Sequence, residues 1–323
     1  MNSNLHRWRR ALCCIGVLAS ALVAVSCGGG SRVQNFQPSR LISFGDESSA
    51  IEDVNNDANG RKYLDNATVS ATDPTLSCKA NPNWVQALGS TYGFVFPQCN
   101  PGPTPVAAPP SRDRAVAGAK VADIPAQIAA QVAESPFDST TLVSILVGHN
   151  DILAQYALYD GSNEAALTAT LEASGVALGN LVNDIARTGA KVLIATAMDE
   201  GLTPFATAEN AANPGSDRAG LLTRLTARFN ATMRATIIND GRMIGLVLND
   251  EYFRTIYLTA GGGGFTNLST PICTVPLPSC TTLTLAAGSS GSTFLWADST
   301  HLSSGAHTQL GAVASTRAVN NPF

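Results

Sequence analysis

The chain has 323 residues, 45% of them hydrophobic and only 14% charged. That composition supplies a sizeable buried core and excludes a disordered chain. The formal charge of −4 implies a mildly acidic surface, which argues against nucleic acid as the partner.

The first readable element is a leader. Arg7, Arg9 and Arg10 form a basic stretch, an apolar run follows from Leu12 to Val25, and Ala24-Val25-Ser26-Cys27 closes it with small residues before a cysteine. The run is short for a membrane span. It resembles a bacterial lipoprotein signal, which implies removal of residues 1–26 and acylation of Cys27. Residues 27–37, beginning Cys27-Gly28-Gly29-Gly30-Ser31, then read as a flexible tether. A membrane held through an N-terminal lipid is the expected partner. The expected location is the bacterial envelope, at the outer membrane, with simple secretion as the alternative.

Leu41 to Phe44 is a short apolar run expected to be a buried strand, and it leads into Gly45-Asp46-Glu47-Ser48. An irregular insertion is expected near residues 55–114, where Asn and Asp clusters, two cysteines and a proline-rich run from Pro101 to Pro110 disfavour regular ladders. At Ala117-Gly118-Ala119 a glycine would let the backbone N–H approach a ligand closely, although any small-residue turn reads the same way. A second strand is expected over Leu142 to Val147. Gly148-His149-Asn150-Asp151 follows it directly, either as a plain Asn-Asp turn or as a site segment whose Asn150 donates to a developing oxyanion.

A helix follows over residues 164–187, with Leu167, Leu171, Leu178, Leu181 and Ile185 on one face. Val192 to Ala195 is the third expected strand. The next helix carries Leu222, Leu225, Phe229, Met233 and Ile237, and Met243 to Leu248 is the fourth strand. Strand–helix alternation predicts an α/β three-layer sandwich, flavodoxin-like, with a central, mainly parallel sheet, in one domain over residues 38–323. Gly261 to Cys280 reads as a second irregular loop.

Near the C-terminus, Asp298-Ser299-Thr300-His301 sets a carboxylate three residues before an imidazole. Asp298 is then close enough to fix the tautomer of His301 and leave its other nitrogen as a base, though a solvated loop histidine has the same spelling. Four cysteines remain after Cys13, Cys14 and Cys27: Cys78, Cys99, Cys273 and Cys280. Two disulfides are expected in an oxidising compartment, and the local pairs 78–99 and 273–280 are the simplest of three connectivities. Zinc is not expected there, because no C-x-x-C spacing or accompanying histidine occurs.

Gly45-Asp46, Gly118, Gly148-x-Asn150-Asp151 and Asp298-x-x-His301 stand in the order and approximate spacing of the SGNH/GDSL hydrolases. The chain resembles the exported esterase-lipase branch of that family over roughly residues 39 to 320. Trp84 with Val85 and Leu88, Gly264-Phe265-Thr266-Asn267, and His301 to His307 extend the resemblance. It implies an SGNH hydrolase fold acting on a small-molecule or lipid carboxylic ester. Gly118 and Asn150 become the oxyanion donors, His301 the general base and Asp298 its orienting acid.

The family reads Gly-Asp-Ser where this chain reads Gly45-Asp46-Glu47. Three readings follow: Ser48 serves as a shifted nucleophile, Glu47 and His301 together activate water, or the scaffold binds without catalysis. No Walker-type phosphate loop, dinucleotide fingerprint or metal-ligand cluster occurs in the sequence, so neither cofactor nor metal is expected.

Overall fold

The strands alternate between two apolar layers. In β1 (Arg40–Gly45) Leu41 faces one layer while Ile42 and Phe44 face the other. In β3 (Thr141–Leu146) Leu142 and Leu146 join Leu41, whereas Val143 and Ile145 join Ile42. Both faces are therefore apolar, which requires a helical cover on each. The computed structural model, which describes residues 35–259, 262–320 and 323, supplies those covers.

Five strands make one wholly parallel sheet in the order β2-β1-β3-β4-β5, with β2 at Arg112–Asp113, β4 at Lys191–Ala195 and β5 at Ile244–Val247. This is the flavodoxin-like doubly wound order, in which the crevice opens at the carboxyl ends of the strands. One face is covered by α2 (Ile124–Glu134), α3 (His149–Tyr156), α4 (Glu164–Arg187), α5 (Pro204–Ala212) and α6 (Arg218–Thr236). The other face carries α1 (Trp84–Thr91), α7 (Asn249–Leu258) and α8 (Ser304–Asn320). A separate two-stranded parallel ribbon pairs β6 (Asn267–Pro271) with β7 (Phe294–Trp296). The expected three-layer fold is thus present, and Asn35–Phe323 packs as one unit. The leader, Cys27 and the tether up to residue 34 lie outside the described residues, as does Gly261.

Three expectations need correction. The stretch from 55 to 114 contains regular structure: α1, begun by a capping box between Asn83 and Gln86, and the edge strand β2. A two-residue strand is too short to show periodicity, which is why the sequence concealed it. The fourth expected strand, over 243–248, is confined to Ile244–Val247, because Leu248 is already the N-cap of α7. The helix expected around Leu222 to Ile237 starts at Arg218, where the Asp217 side chain accepts from Gly220 N–H, and ends at Thr236. Both disulfides form the local pairs, Cys78–Cys99 and Cys273–Cys280.

The end of β1 is clamped more tightly than the rest of the strand. The Gln127 side chain from α2 bridges the Gly45 peptide on both sides, accepting from its N–H at 2.9 Å and donating to its carbonyl at 2.8 Å. Trp84 Nε1 donates to Ser49 Oγ at 3.0 Å and Asn83 Nδ2 to the Ser49 carbonyl at 2.8 Å, which ties the insertion helix to the turn after the strand. Gly45 itself has φ +147°, and a Cβ there would stand 2.0 Å from the Leu146 carbonyl oxygen of the neighbouring strand. Gly45→Ala is therefore expected to destabilise the protein by about 3 kcal/mol or more. Denaturant unfolding against the parent checks it, and a loss below about 1 kcal/mol would show that the strand end relaxes freely.

Candidate functional site

Three strand ends and one C-terminal loop converge at the carboxyl edge of the sheet. Glu47 lies in the turn after β1, Asn150 in the first turn of α3 after β3, and Glu200 in the 3-10 turn Glu200–Leu202 after β4. Asp298 and His301 occupy the loop between β7 and α8. That loop is set by Asp298, whose Oδ1 accepts from Thr300 N–H at 2.9 Å and His301 N–H at 2.8 Å. Its other end is held by Asp65 of the insertion, which accepts from the Ser304 N–H and hydroxyl at 2.7 and 2.8 Å.

The expected site residues other than Ser48 come together around one carboxylate. Glu47, 6% exposed, accepts from Gly118 N–H at 2.8 Å on Oε2 and from Asn150 Nδ2 at 2.9 Å on Oε2 and 3.1 Å on Oε1. These are the two donors that the sequence marks as an oxyanion pair, at the distances such a pair keeps from an oxyanion. His301 Nε2 lies 3.4 Å from Glu47 Oε1. Its Nδ1 is held by both Asp298 oxygens at 2.9 Å. Tyr63, from the insertion, stands beside His301 with ring centroids 6.2 Å apart.

Ser48 borders the same crevice with its backbone N–H on Asp46 Oδ1 at 3.0 Å, and no Ser48–His301 hydrogen bond occurs among the described residues. Asp46 is fully buried, and burial together with the neighbouring Glu47 charge pushes its carboxyl upward.

The local charges are strongly shifted. Burial alone would raise the Glu47 carboxyl. The His301 hydrogen bond, the His149 charge, the Gly118 N–H and Asn150 outweigh burial and hold it down to about 2. Burial would lower His301, but Asp298 and Glu47 raise it from 6.5 to about 10. At neutral pH the site thus holds a carboxylate and an imidazolium, so His301 carries the proton that a general base would have to accept.

Two participants escaped sequence reasoning. His149 is bonded through Nδ1 to Glu200 Oε1 at 2.8 Å, and its Nε2 stands 3.7 Å from Glu47 Oε1. Burial depresses His149, but the Glu200 charge and hydrogen bond more than offset that and raise it. His149 therefore has a carboxylate partner of its own, as His301 does. The signal was present: His149 sits inside the Gly148-Asp151 block, and Glu200 follows a strand at the sheet's carboxyl edge. The sequence displays no metal-ligand cluster, yet Glu47, His149 and His301 bring three potential ligand atoms within 4.8 Å of one another. Residues separated by 102 and 152 positions show no ligand spacing along the chain.

No family model matches the chain, and no curated protein matches it. Solved structures similar to it include the acetylxylan esterase Axe2 from Geobacillus stearothermophilus, 15% identical, covering 88% of this chain and 95% of that one with a TM-score of 0.44. A member of the lipolytic protein G-D-S-L family from Veillonella parvula is 12% identical over 85% and 95% of the two chains, with a TM-score of 0.41. An alpha/beta hydrolase enzyme from the metagenome of Lake Arreo, Spain, is 17% identical over 89% and 97%, with a TM-score of 0.46. At these identities and TM-scores the likeness adds nothing to what the strand order itself shows.

Proposed function

We propose that this chain is an SGNH/GDSL-type, ester-hydrolase-like envelope protein whose serine-type chemistry is blocked by Glu47, leaving a binding scaffold with weak or no esterase activity. One observation carries the reading: the Glu47 carboxylate occupies both oxyanion donors and the free nitrogen of His301 together. An acyl-transfer site needs those donors for the developing oxyanion and that nitrogen for the nucleophile's proton. A resident anion competes for all of them. Beside Gly118 runs an open groove of about 430 Å³, lined by Val116 and the alanines at 117, 119, 126 and 130, with Arg114, Asp123 and Gln127 also on its wall. The apolar part of that wall suits the short acyl group of an ester.

Serine at position 47 would vacate the donors and return His301 to an ordinary base with Asp298 behind it. In metal-free buffer, Glu47→Ser is expected to hydrolyse a short-chain aryl ester at least about 100-fold faster than the native protein, the scale of one oxyanion donor. His301→Ala in that background should abolish the gain. Strong native activity removed by Ser48→Ala would instead make Ser48 the nucleophile and overturn the blocked-site reading.

The charge pair also predicts a pH dependence of stability. A depressed Glu47 contributes stability present above about 4.5 and lost as pH falls through about 2; a raised His301 contributes stability present below 6.5 and lost as pH rises through about 10. The pair's contribution is thus complete between about 4.5 and 6.5. Glu47→Gln should melt below the native protein near pH 6, with the gap narrowing toward pH 10. A gap that stays constant across that range would show that the two groups do not pair.

Export and anchorage are part of the same proposal. The leader supports them, and two disulfides suit an oxidising compartment. Labelled palmitate is expected to enter the native protein in bacterial cells and not Cys27→Ala. Incorporation that survives the substitution would refute the anchor.

A further inference from the structure

We propose that Glu47, His149 and His301 form a binding site for one divalent transition ion of the Zn²⁺ type, with two imidazoles and one carboxylate as protein ligands. The proposal does not depend on the ester reading. It rests on where the three ligand atoms point and on what holds them there.

Both histidines present Nε2 to the same oxygen, Glu47 Oε1, at 3.7 and 3.4 Å. An ion with bonds of about 2.0–2.1 Å to its ligands separates neighbouring tetrahedral ligand atoms by roughly 3.4 Å. Two of the three edges are therefore already near that length, and all three atoms lie within 4.8 Å of one another. The side chains are sheltered, at 12% exposure for His149, 17% for His301 and 7% for Glu47. An ion there would be shielded from competing solvent.

The supporting shell is complete on every ligand. His149 Nδ1 is held by Glu200 at 2.8 Å and His301 Nδ1 by Asp298 at 2.9 Å, so each imidazole has a carboxylate behind it. Such carboxylate–histidine pairs orient Nε2 toward the ion and recur behind metal-bound histidines; the ion takes the place of the Nε2 proton of the imidazolium, which is released on binding. Gly118 N–H and Asn150 hold Glu47 Oε2 at 2.8 and 2.9 Å, and Asn150 also reaches Oε1 at 3.1 Å, the oxygen that faces both imidazoles.

A second observation points the same way. A cavity of about 30 Å³ borders both histidines, enough for a water-sized ligand. Its walls include Asp46, Glu200, Asn249 and His307, and on each of these a buried polar atom has no protein partner: Asp46 Oδ2, Glu200 Oε2, Asn249 Oδ1 and His307 Nδ1. Buried polar atoms are rarely left unpaired, so the space beneath the histidines is built for polar occupants. Two imidazoles with one carboxylate suit Zn²⁺ and its neighbours better than Mg²⁺ or Ca²⁺, which prefer oxygen, and three protein ligands leave a fourth position open.

The test uses the full chain, stripped with EDTA and titrated calorimetrically with Zn²⁺, with Co²⁺ absorption as a second readout. One Zn²⁺ per chain is expected, with micromolar or tighter affinity and an intense visible Co²⁺ spectrum of a four-coordinate ion. Glu47→Gln and His149→Ala should each weaken binding at least tenfold. Glu200→Gln keeps all three ligands and should weaken binding by about 10- to 100-fold while shifting the Co²⁺ bands. Circular dichroism on each variant identifies any that fails to fold, and the native spectrum and Glu200→Gln keep the test decisive if His149→Ala does. No binding by the native chain would overturn the proposal, as would a pale six-coordinate Co²⁺ spectrum or affinity unchanged in Glu47→Gln and Glu200→Gln. None of these failures touches the ester reading, which is tested separately on Glu47→Ser in metal-free buffer.

Discussion

The contact on which the site depends is the Glu47 carboxylate, held by the Gly118 N–H, the Asn150 amide and the His301 imidazole. A nearly buried carboxylate would carry a desolvation cost of several kcal/mol if left alone. Here it has two fixed dipoles and two nearby imidazoles, and that environment keeps it ionised despite burial. On the reading proposed above, the same contacts hold back ester chemistry at this site. Its donors face a permanent anion where a reacting ester would develop a transient one.

That arrangement is stable because the fold brings the charges in as pairs. Asp298 backs His301 and Glu200 backs His149, so two imidazoles and three carboxylates share one crevice. Removing one member would strand another, which costs more than the pair contributes. Asp46 stands one residue from Glu47, with Oδ1 accepting from Ser48 N–H at 3.0 Å. Its carboxyl, raised to about 7 by burial and the Glu47 charge, carries only part of a further negative charge at neutral pH.

The insertion between β1 and β2 takes part in this. Lys62, entirely buried, donates its ammonium to the carbonyls of Cys78, Ala80 and Asn81 at 2.7, 3.0 and 2.9 Å. It gathers the segment ahead of α1 much as a bound cation would. The segment then reaches the site at three points: Trp84 on Ser49, Asp65 on the start of α8, and Tyr63 beside His301. The insertion thereby fixes both the turn that carries Glu47, through α1, and the loop that carries His301.

The sequence by itself determined the layer architecture, because short aliphatic runs such as Leu142 to Val147 and amphipathic repeats such as Leu167 to Ile185 report burial through their own periodicity. It also marked Asp298 with His301, and the local cysteine pairs, since partners three, seven or twenty-one residues apart leave a signature in spacing. The edge strand Arg112–Asp113, the clamp of Gln127 on Gly45 and the pairing of His149 with Glu200 were decided only by the tertiary structure. Each joins elements distant along the chain, where spacing carries no information. The identity of residue 47 was legible as a departure from a motif, but its consequence was not. Whether a glutamate there turns to solvent or inward depends on the donors offered by Gly118 and Asn150, 71 and 103 residues away, and only the assembled parallel sheet sets those donors around it.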